Sequence, residues 1–190
     1  MSTVLQHPQR HAVSAQEYLR MAEASVFAPD ARLELIEGEI VEMAPIGSRH
    51  AGAVKTLNRL LVQRAGDRAV VSVQDPVVVA DRSVPQPDLA LLNPRDDDYS
   101  SSHPSAADVL LAIEVADTTL AFDVGTKVPL YARCGIPEVW VVDLSDRTIR
   151  IYREPSARGY RESFIVTQEE SVQCVALPQV YVAARELFSK

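Results

Sequence analysis

The sequence predicts an α/β fold in which a mixed β-sheet is flanked by helices. The chain has 190 residues, of which 47% are hydrophobic and 24% are charged, which is typical of one soluble globular domain. Helical patterns at both ends bracket a block of short apolar runs. Residues 109–142 form a strand, helix, strand unit, as in a sheet that carries helices on its faces.

The N-terminal third contains two predicted helices with a hairpin between them. Ser14 and Glu17 form a capping box that opens a helix over residues 15–24. Charged and apolar residues alternate over residues 32–43 around Gly38, which indicates a β-hairpin. Residues 48–65 are the clearest helix, since steps of 100° place its apolar residues on one face. These are Ala53, Leu57, Leu60 and Leu61, with Lys55 and Arg59 on the opposite face.

The rest of the chain is predicted to be mostly strand. Residues 109–116 and 139–142 are nearly all apolar, as expected of strands covered on both faces. Pro129 interrupts the helix predicted over residues 123–133, so its regular part is expected to begin at Val128. The predicted strands cover residues 69–73, 76–80, 88–92, 109–116, 138–143, 148–152 and 163–167, and a short segment over residues 180–188 ends the chain.

Composition restricts the function classes. A net charge of −7 argues against a protein that holds nucleic acid by bulk electrostatics, although a metal site is itself acidic. The sequence contains no run of about 20 apolar residues that could span a membrane. A polar N-terminus without a signal-like segment and two cysteines outside any CxxC pair predict a cytoplasmic protein with reduced thiols.

Two carboxylates and an ammonium follow neighbouring predicted strands. Pro87-Asp88 opens one apolar run, Glu114 lies near the end of the next, and Lys127 follows across a polar turn. On adjacent antiparallel strands, Asp88 and Glu114 can lie side by side. Mg²⁺ takes oxygen ligands and retains several waters, so one or two carboxylates suffice to bind it. This combination of residue types therefore predicts metal-assisted cleavage of phosphodiester bonds.

Several blocks of the sequence resemble the PD-(D/E)XK nuclease superfamily and, more closely, its Uma-type restriction endonucleases. The blocks are residues 34–39 (ELIEGE), 86–90 (QPDLA), 113–115 (IEV), Lys127 with 131–133 (YAR), and 135–143 (GIPEVWVVD). The resemblance implies a restriction-endonuclease-like fold for a single domain over residues 1–190, with a family-like core over about residues 14–155. It also implies that Mg²⁺ or Mn²⁺ is bound by Asp88 and Glu114, with the Val115 carbonyl as a third ligand.

The resemblance assigns roles to further residues, each of which has a structural alternative. The superfamily's simplest form has a lysine two residues after the glutamate, where this chain has Ala116. The family's pattern therefore implies that Lys127 supplies the catalytic ammonium, whereas an ion pair with Asp123, one helical turn away, is the alternative. Glu34 opens a matching block and is expected to assist at the metal, or else to be an exposed strand carboxylate. Their positions alone make Gln86, His50, Lys55 and Arg59 candidate substrate contacts. The structural alternatives are that Gln86 orients Asp88, that His50 caps its helix, and that Lys55 and Arg59 are only a solvated face.

The leading hypothesis is a metal-dependent endonuclease that hydrolyses DNA. The alternatives are a catalytically silent binding or assembly module with the same fold, and a nuclease that acts on RNA or on branched or damaged DNA. A homodimer is expected because one site cuts one strand of a duplex, and because edge strands near Tyr152 and Phe164 need covering.

Overall fold

The computed structural model describes residues 10–188. The helices are α1 (Ala15–Glu23), α2 (Ser48–Ala65), α3 (Leu120–Phe122), α4 (Val128–Arg133) and α5 (Arg185–Phe188). The strands are β1 (Leu33–Ile36), β2 (Glu39–Glu42), β3 (Val70–Ser72), β4 (Leu89–Leu92), β5 (Val109–Ala116), β6 (Glu138–Asp143), β7 (Thr148–Ser156), β8 (Gly159–Val166), β9 (Ser171–Gln173) and β10 (Tyr181–Ala183).

Six strands form the main sheet in the order β3-β4-β5-β6-β7-β8. The pair β5–β6 is parallel and the other neighbours are antiparallel, so the predicted mixed sheet is confirmed. The helical segment between β5 and β6 provides the crossover that a parallel pair requires. β6 is buried along its whole length and β5 along nearly all of it, as their apolar sequences predict.

Alternation along the central strands separates two apolar cores. Ile113 and Trp140 face one side of the sheet and pack in a cluster with Leu57 and Leu61 of α2. Their neighbours in sequence, such as Ala112, belong to the cluster on the other side, together with Leu130 and Tyr131 of α4. The predicted apolar face of α2 is therefore confirmed, and Trp140 lies in the core.

The hairpin β1–β2 carries the N-terminal part of the chain to the main sheet. Its turn places Glu37 and Gly38 at φ values of +51° and +89°, and a Cβ at Gly38 would lie 2.8 Å from the Cβ of Ala12. Leu35 and Val84 exchange backbone hydrogen bonds of 3.3 and 2.7 Å. Because Val84 shortly precedes Asp88 in the chain, this pairing brings β1 towards the start of β4.

Two expectations about the strands are wrong. Residues 76–80 form no continuous strand, because successive backbone N–H groups bond to different segments: Val77 to Pro85, Val78 to Pro104 and Val79 to Ser83. Tyr152 is not on an edge strand, since β7 is paired on both sides and Tyr152 is opposite Ser163 of β8. The edges of the main sheet are β3 and β8, and β8 carries the exposed Phe164.

No helix within residues 10–188 is long and apolar enough to cross a membrane. The N-terminal residues 1–9, on which the signal-peptide expectation rests, lie outside the described residues.

Candidate active site

A pocket of about 160 Å³ lies where β1, β4, β5 and the helical crossover meet. Four buried carboxylates and one buried ammonium line it: Glu34, Asp88, Glu114, Asp123 and Lys127. Its mouth is formed by the loop after β2, over residues 43–47, and by residues 117–119 after β5. The structure thus brings together all four residues predicted to be catalytic.

Asp88 is the residue immediately before β4, and three hydrogen-bond donors fix its carboxylate. The Val115 N–H donates to Oδ2 at 2.8 Å, His50 Nε2 lies 3.0 Å from the same oxygen, and Gln74 Nε2 donates to Oδ1 at 3.0 Å. Burial opposes the charged form, but these donors lower the pKa of Asp88 below its ordinary value. The carboxylate is therefore ionised near neutral pH and points in a defined direction.

Glu114 lies on β5, on the face that the sheet turns towards α4. Its side chain shares that face with Ala112 and Ala116, whose small size leaves space beside it. The Tyr131 hydroxyl donates to Oε1 at 2.6 Å, and Lys127 Nζ lies 2.8 Å from the same oxygen. Both contacts use Oε1, so Oε2 is available to a ligand in the pocket.

Lys127 ends a π turn, Asp123–Lys127, that joins α3 to α4. Its ammonium is 1% exposed and contacts Oε1 of Glu114 and, at 3.1 Å, Oε1 of Glu34. No ion pair forms with Asp123, which instead accepts a hydrogen bond from Thr119 at 2.6 Å. The ammonium is instead held by the carboxylates of β1 and β5.

Negative charge exceeds positive charge at the base of the pocket. Burial raises the pKa of Glu114 well above its ordinary value, and nearby carboxylates add to this effect while Lys127 opposes it. Burial likewise raises the pKa values of Glu34 and Asp123. The surrounding carboxylates raise the pKa of Lys127 above its usual value even though burial acts in the opposite direction. One ammonium thus serves several carboxylates, and a further cation would relieve their repulsion.

The donor set fits a hard divalent cation that keeps part of its water shell. The carboxylate oxygens of Asp88 and Glu114 are the ligand type that Mg²⁺ and Mn²⁺ prefer, and Glu34 Oε2 is buried without a hydrogen bond of standard geometry in the described part of the chain. Among residues 10–188, no group of three or more His, Cys, Asp or Glu side chains is close enough to hold a metal unaided.

The structure separates the candidate substrate contacts into two groups. His50 and Gln86 line the pocket; His50 contacts Asp88, and Gln86 Nε2 donates to the backbone oxygen of Leu33 at 3.2 Å. Lys55 and Arg59 do not line it. Val115 lines the pocket, and its carbonyl as a metal ligand stays a prediction.

Sequence reasoning assigned no part in the active site to four residues that the structure places at or behind it. They are Arg32, Gln74, Asp123 and Tyr131. Tyr131 was part of a family-like block, and its position one turn after Lys127 was a usable signal. Gln74 is 14 residues from Asp88 and carries no local signal, because only the pairing of β3 with β4 brings the two together.

Comparisons with known proteins agree with this fold. A crystal structure described as "a putative nuclease belonging to DUF820" from Anabaena variabilis ATCC 29413 superposes with a TM-score of 0.73. The two chains are 16% identical over 93% of this chain and 98% of the other, which shows a common fold. No curated protein is significantly similar to this chain.

The sequence profile of the Uma2 family, described as "Putative restriction endonuclease", matches residues 15–185. This range includes every residue that lines the pocket and extends through the C-terminal strands. The chain therefore belongs to the Uma2 family.

Proposed function

We propose that this protein is a Mg²⁺- or Mn²⁺-dependent endonuclease that hydrolyses phosphodiester bonds in DNA. The observation that carries the proposal is the convergence of Asp88, Glu114, Lys127 and Glu34 in one pocket. Membership of a family described as restriction endonucleases supports nuclease chemistry. The excess of carboxylates over ammonium groups supports a site that takes up a cation.

Asp88 and Glu114 would hold the metal ion, with the Val115 carbonyl as the third protein ligand. A bound divalent ion supplies Lewis acidity and a water molecule of lowered pKa. Asp88 suits this role because three donors orient it while leaving it ionised. Glu114 suits it because Oε2 is free to face the pocket while Tyr131 and Lys127 hold Oε1.

Lys127 acts as a charged donor and not as a base. Its raised pKa keeps the ammonium protonated throughout the physiological range, so it can position a water or stabilise charge that develops on a phosphate oxygen. Glu34 Oε1 restrains this ammonium at 3.1 Å. Oε2 of the same carboxylate makes no hydrogen bond of standard geometry within residues 10–188, and in this proposal it would accept one from a water molecule.

DNA is proposed as the substrate because of the family description, and His50 and Gln86 at the pocket are proposed to contact it.

A homodimer, which would place two sites on the two strands of a duplex, belongs to the same proposal. The edge strand β8 offers a surface for it, since Phe164 and Ile165 are exposed there. The net charge of −7 favours the silent-module alternative, since weak attraction to a phosphate backbone is expected.

The test is cleavage of supercoiled plasmid, single-stranded DNA and RNA in the presence of Mg²⁺ or Mn²⁺. Asp88→Asn and Glu114→Gln should each lower the rate by a factor of about 100 or more, because each removes a charge that holds the ion. The control is Glu37→Gln, an exposed carboxylate paired with Arg133 outside the pocket.

The proposal is supported if plasmid is cut only with the divalent ion and the two site variants lose this activity while the control keeps it. Cleavage of RNA alone would move the substrate class to RNA. If the wild-type protein cuts no substrate, the silent binding module becomes the leading explanation.

A further inference from the structure

Gln74 occupies a backbone conformation that its residue type rarely adopts. It lies in the turn after β3 with φ of +56°, in the left-handed region where glycine and asparagine are favoured. A glutamine in this conformation costs stability that glycine would not. Such a conformation persists when the surrounding structure holds it in place.

Gln74 contacts Asp88 through both its backbone and its side chain. The backbone N–H donates to the carbonyl oxygen of Asp88 at 3.2 Å. The side-chain Nε2 donates to Oδ1 at 3.0 Å. His50 and the Val115 N–H both contact Oδ2, so within the described residues Gln74 alone fixes Oδ1.

The turn that carries Gln74 is itself held in place. Ser72 Oγ donates to Asp75 Oδ2 at 2.9 Å across the turn. Ser72 also pairs with Ala90 of β4, two residues after Asp88. The strand register therefore fixes the distance between Gln74 and Asp88. In the left-handed conformation of Gln74, its side chain reaches the Asp88 carboxylate.

We propose that Gln74 is a positioning residue that orients the Asp88 carboxylate for the divalent ion. An amide is suited to this task because it donates a hydrogen bond without carrying a positive charge. An arginine or lysine there would neutralise Asp88 and weaken its attraction for a cation, whereas glutamine leaves the full negative charge available. This inference rests on the proposed function, since it assigns Asp88 to the metal.

The decisive variant is Gln74→Gly, because it separates positioning from stability. Glycine adopts φ of +56° without strain and keeps the backbone bond to Asp88, so the free energy of unfolding in the absence of metal should be unchanged or higher. The Mn²⁺ affinity, measured by calorimetry with the metal alone, should fall about 10- to 100-fold. Gln74→Glu should show a similar loss of affinity, because it keeps the side-chain length but replaces the donor with a carboxylate.

The matched control is Glu154→Gly. Glu154 has φ of +57°, is exposed on β7 and does not line the pocket. It should relieve the same backbone strain, so its free energy of unfolding should be unchanged or higher, while its Mn²⁺ affinity stays at the wild-type value. Gln74→Asn carries the same amide on a shorter side chain and also tolerates the left-handed region, so it should recover part of the lost affinity.

The inference is overturned if Gln74→Gly binds Mn²⁺ as tightly as the wild type. It is also overturned if stability and affinity fall in parallel, since Gln74 would then only support the fold. Wild-type protein that neither binds Mn²⁺ nor cleaves nucleic acid would instead refute the proposed function, and the assignment of Gln74 with it.

Discussion

Glu114 and Glu138 are buried carboxylates on the two parallel central strands, yet their surroundings differ. Glu138 on β6 is 1% exposed and its oxygens accept hydrogen bonds from Trp140 Nε1 at 2.8 Å, Arg153 Nε at 2.9 Å and the Val175 N–H at 2.7 Å. The negative charge of Glu138 is therefore balanced by the positive charge of the Arg153 guanidinium. Glu114 on β5 is 2% exposed and shares the single ammonium of Lys127 with other carboxylates.

The difference separates a buried carboxylate whose charge is balanced from one that lies among an excess of carboxylates. A buried ion pair with complete hydrogen bonding is tolerated because each charge is compensated. Removal of one member leaves the other as an unpaired buried charge. An excess of buried carboxylates costs stability that a fold alone has no reason to retain. The Glu138 cluster therefore attaches the chain around Val175, whereas the Glu114 cluster is the metal site of the proposed function.

The largest expected effect is on stability when the balanced cluster is broken. Glu138→Ala should lower the free energy of unfolding by about 3 kcal/mol, because it leaves the guanidinium of Arg153 and the indole N–H of Trp140 without their hydrogen-bond acceptor. Urea denaturation measures the loss, and Mn²⁺ calorimetry on the folded variant should give the wild-type affinity. A loss of affinity as large as that of Glu114→Gln would show that the two clusters are not independent.

A smaller, pH-dependent loss is expected when the ammonium is removed from the unbalanced cluster. Lys127→Met should lower the free energy of unfolding by about 2 kcal/mol near pH 8, because Glu34, Glu114 and Asp123 then repel each other with no counter-charge. Burial raises the pKa values of all three carboxyls. Groups with raised pKa values favour the folded state at low pH, so the loss should shrink near pH 5, where they accept protons.

The control for this pH dependence is Arg64→Met. Arg64 pairs with Glu186 at 2.7 Å, and this contact lowers the pKa of Glu186 below its ordinary value. Because that carboxylate stays ionised over the same range, the loss of stability in the control should be the same near pH 5 and pH 8. If Lys127→Met is equally independent of pH, the carboxyls around it carry no excess charge.

The sequence was sufficient for those elements and site residues that a strong local pattern marks. The pattern of apolar residues located α2 and the covered strands β5 and β6. A helix buried on one side has apolar residues at helical spacing, and a strand buried on both sides is a continuous apolar run. Asp88 and Glu114 were found because each stands at the end of an apolar run. Strand order left no such trace, and the expectation that Tyr152 lies at an edge failed because β8 pairs beyond it.

The contacts around the site could not be predicted because they depend on tertiary placement. The run of residues 76–80 is rich in valine, but Pro76 and a set of scattered partners prevent a ladder. The pairing of Lys127 with Glu34 spans 93 residues and depends on how the β1–β2 hairpin docks. The spacing of Asp123 and Lys127 made an ion pair between them the local alternative, but tertiary packing directs the ammonium to Glu34 and Glu114.

The smallest expected effect, and one of opposite sign, comes from Glu114→Gln. Burial raises the pKa of Glu114, so its contribution to stability is present below its ordinary pKa of about 4.5 and is lost as the pH rises through the folded-state value. The neutral amide should therefore raise the metal-free free energy of unfolding by about 1 kcal/mol near pH 8 and change it little near pH 5.

Addition of Mn²⁺ should make the wild type more stable than Glu114→Gln, which reverses their order in the metal-free state near pH 8. The wild type should gain about 2.7 kcal/mol when the free metal is a hundred times its dissociation constant, whereas the glutamine variant should gain much less. Thermal or urea denaturation with and without the metal measures both effects. If Glu114→Gln is less stable than the wild type near pH 8 without metal, the Glu114 charge stabilises the fold. Glu114 would then be a structural carboxylate like Glu138, and not a charge that lowers the stability of the metal-free protein.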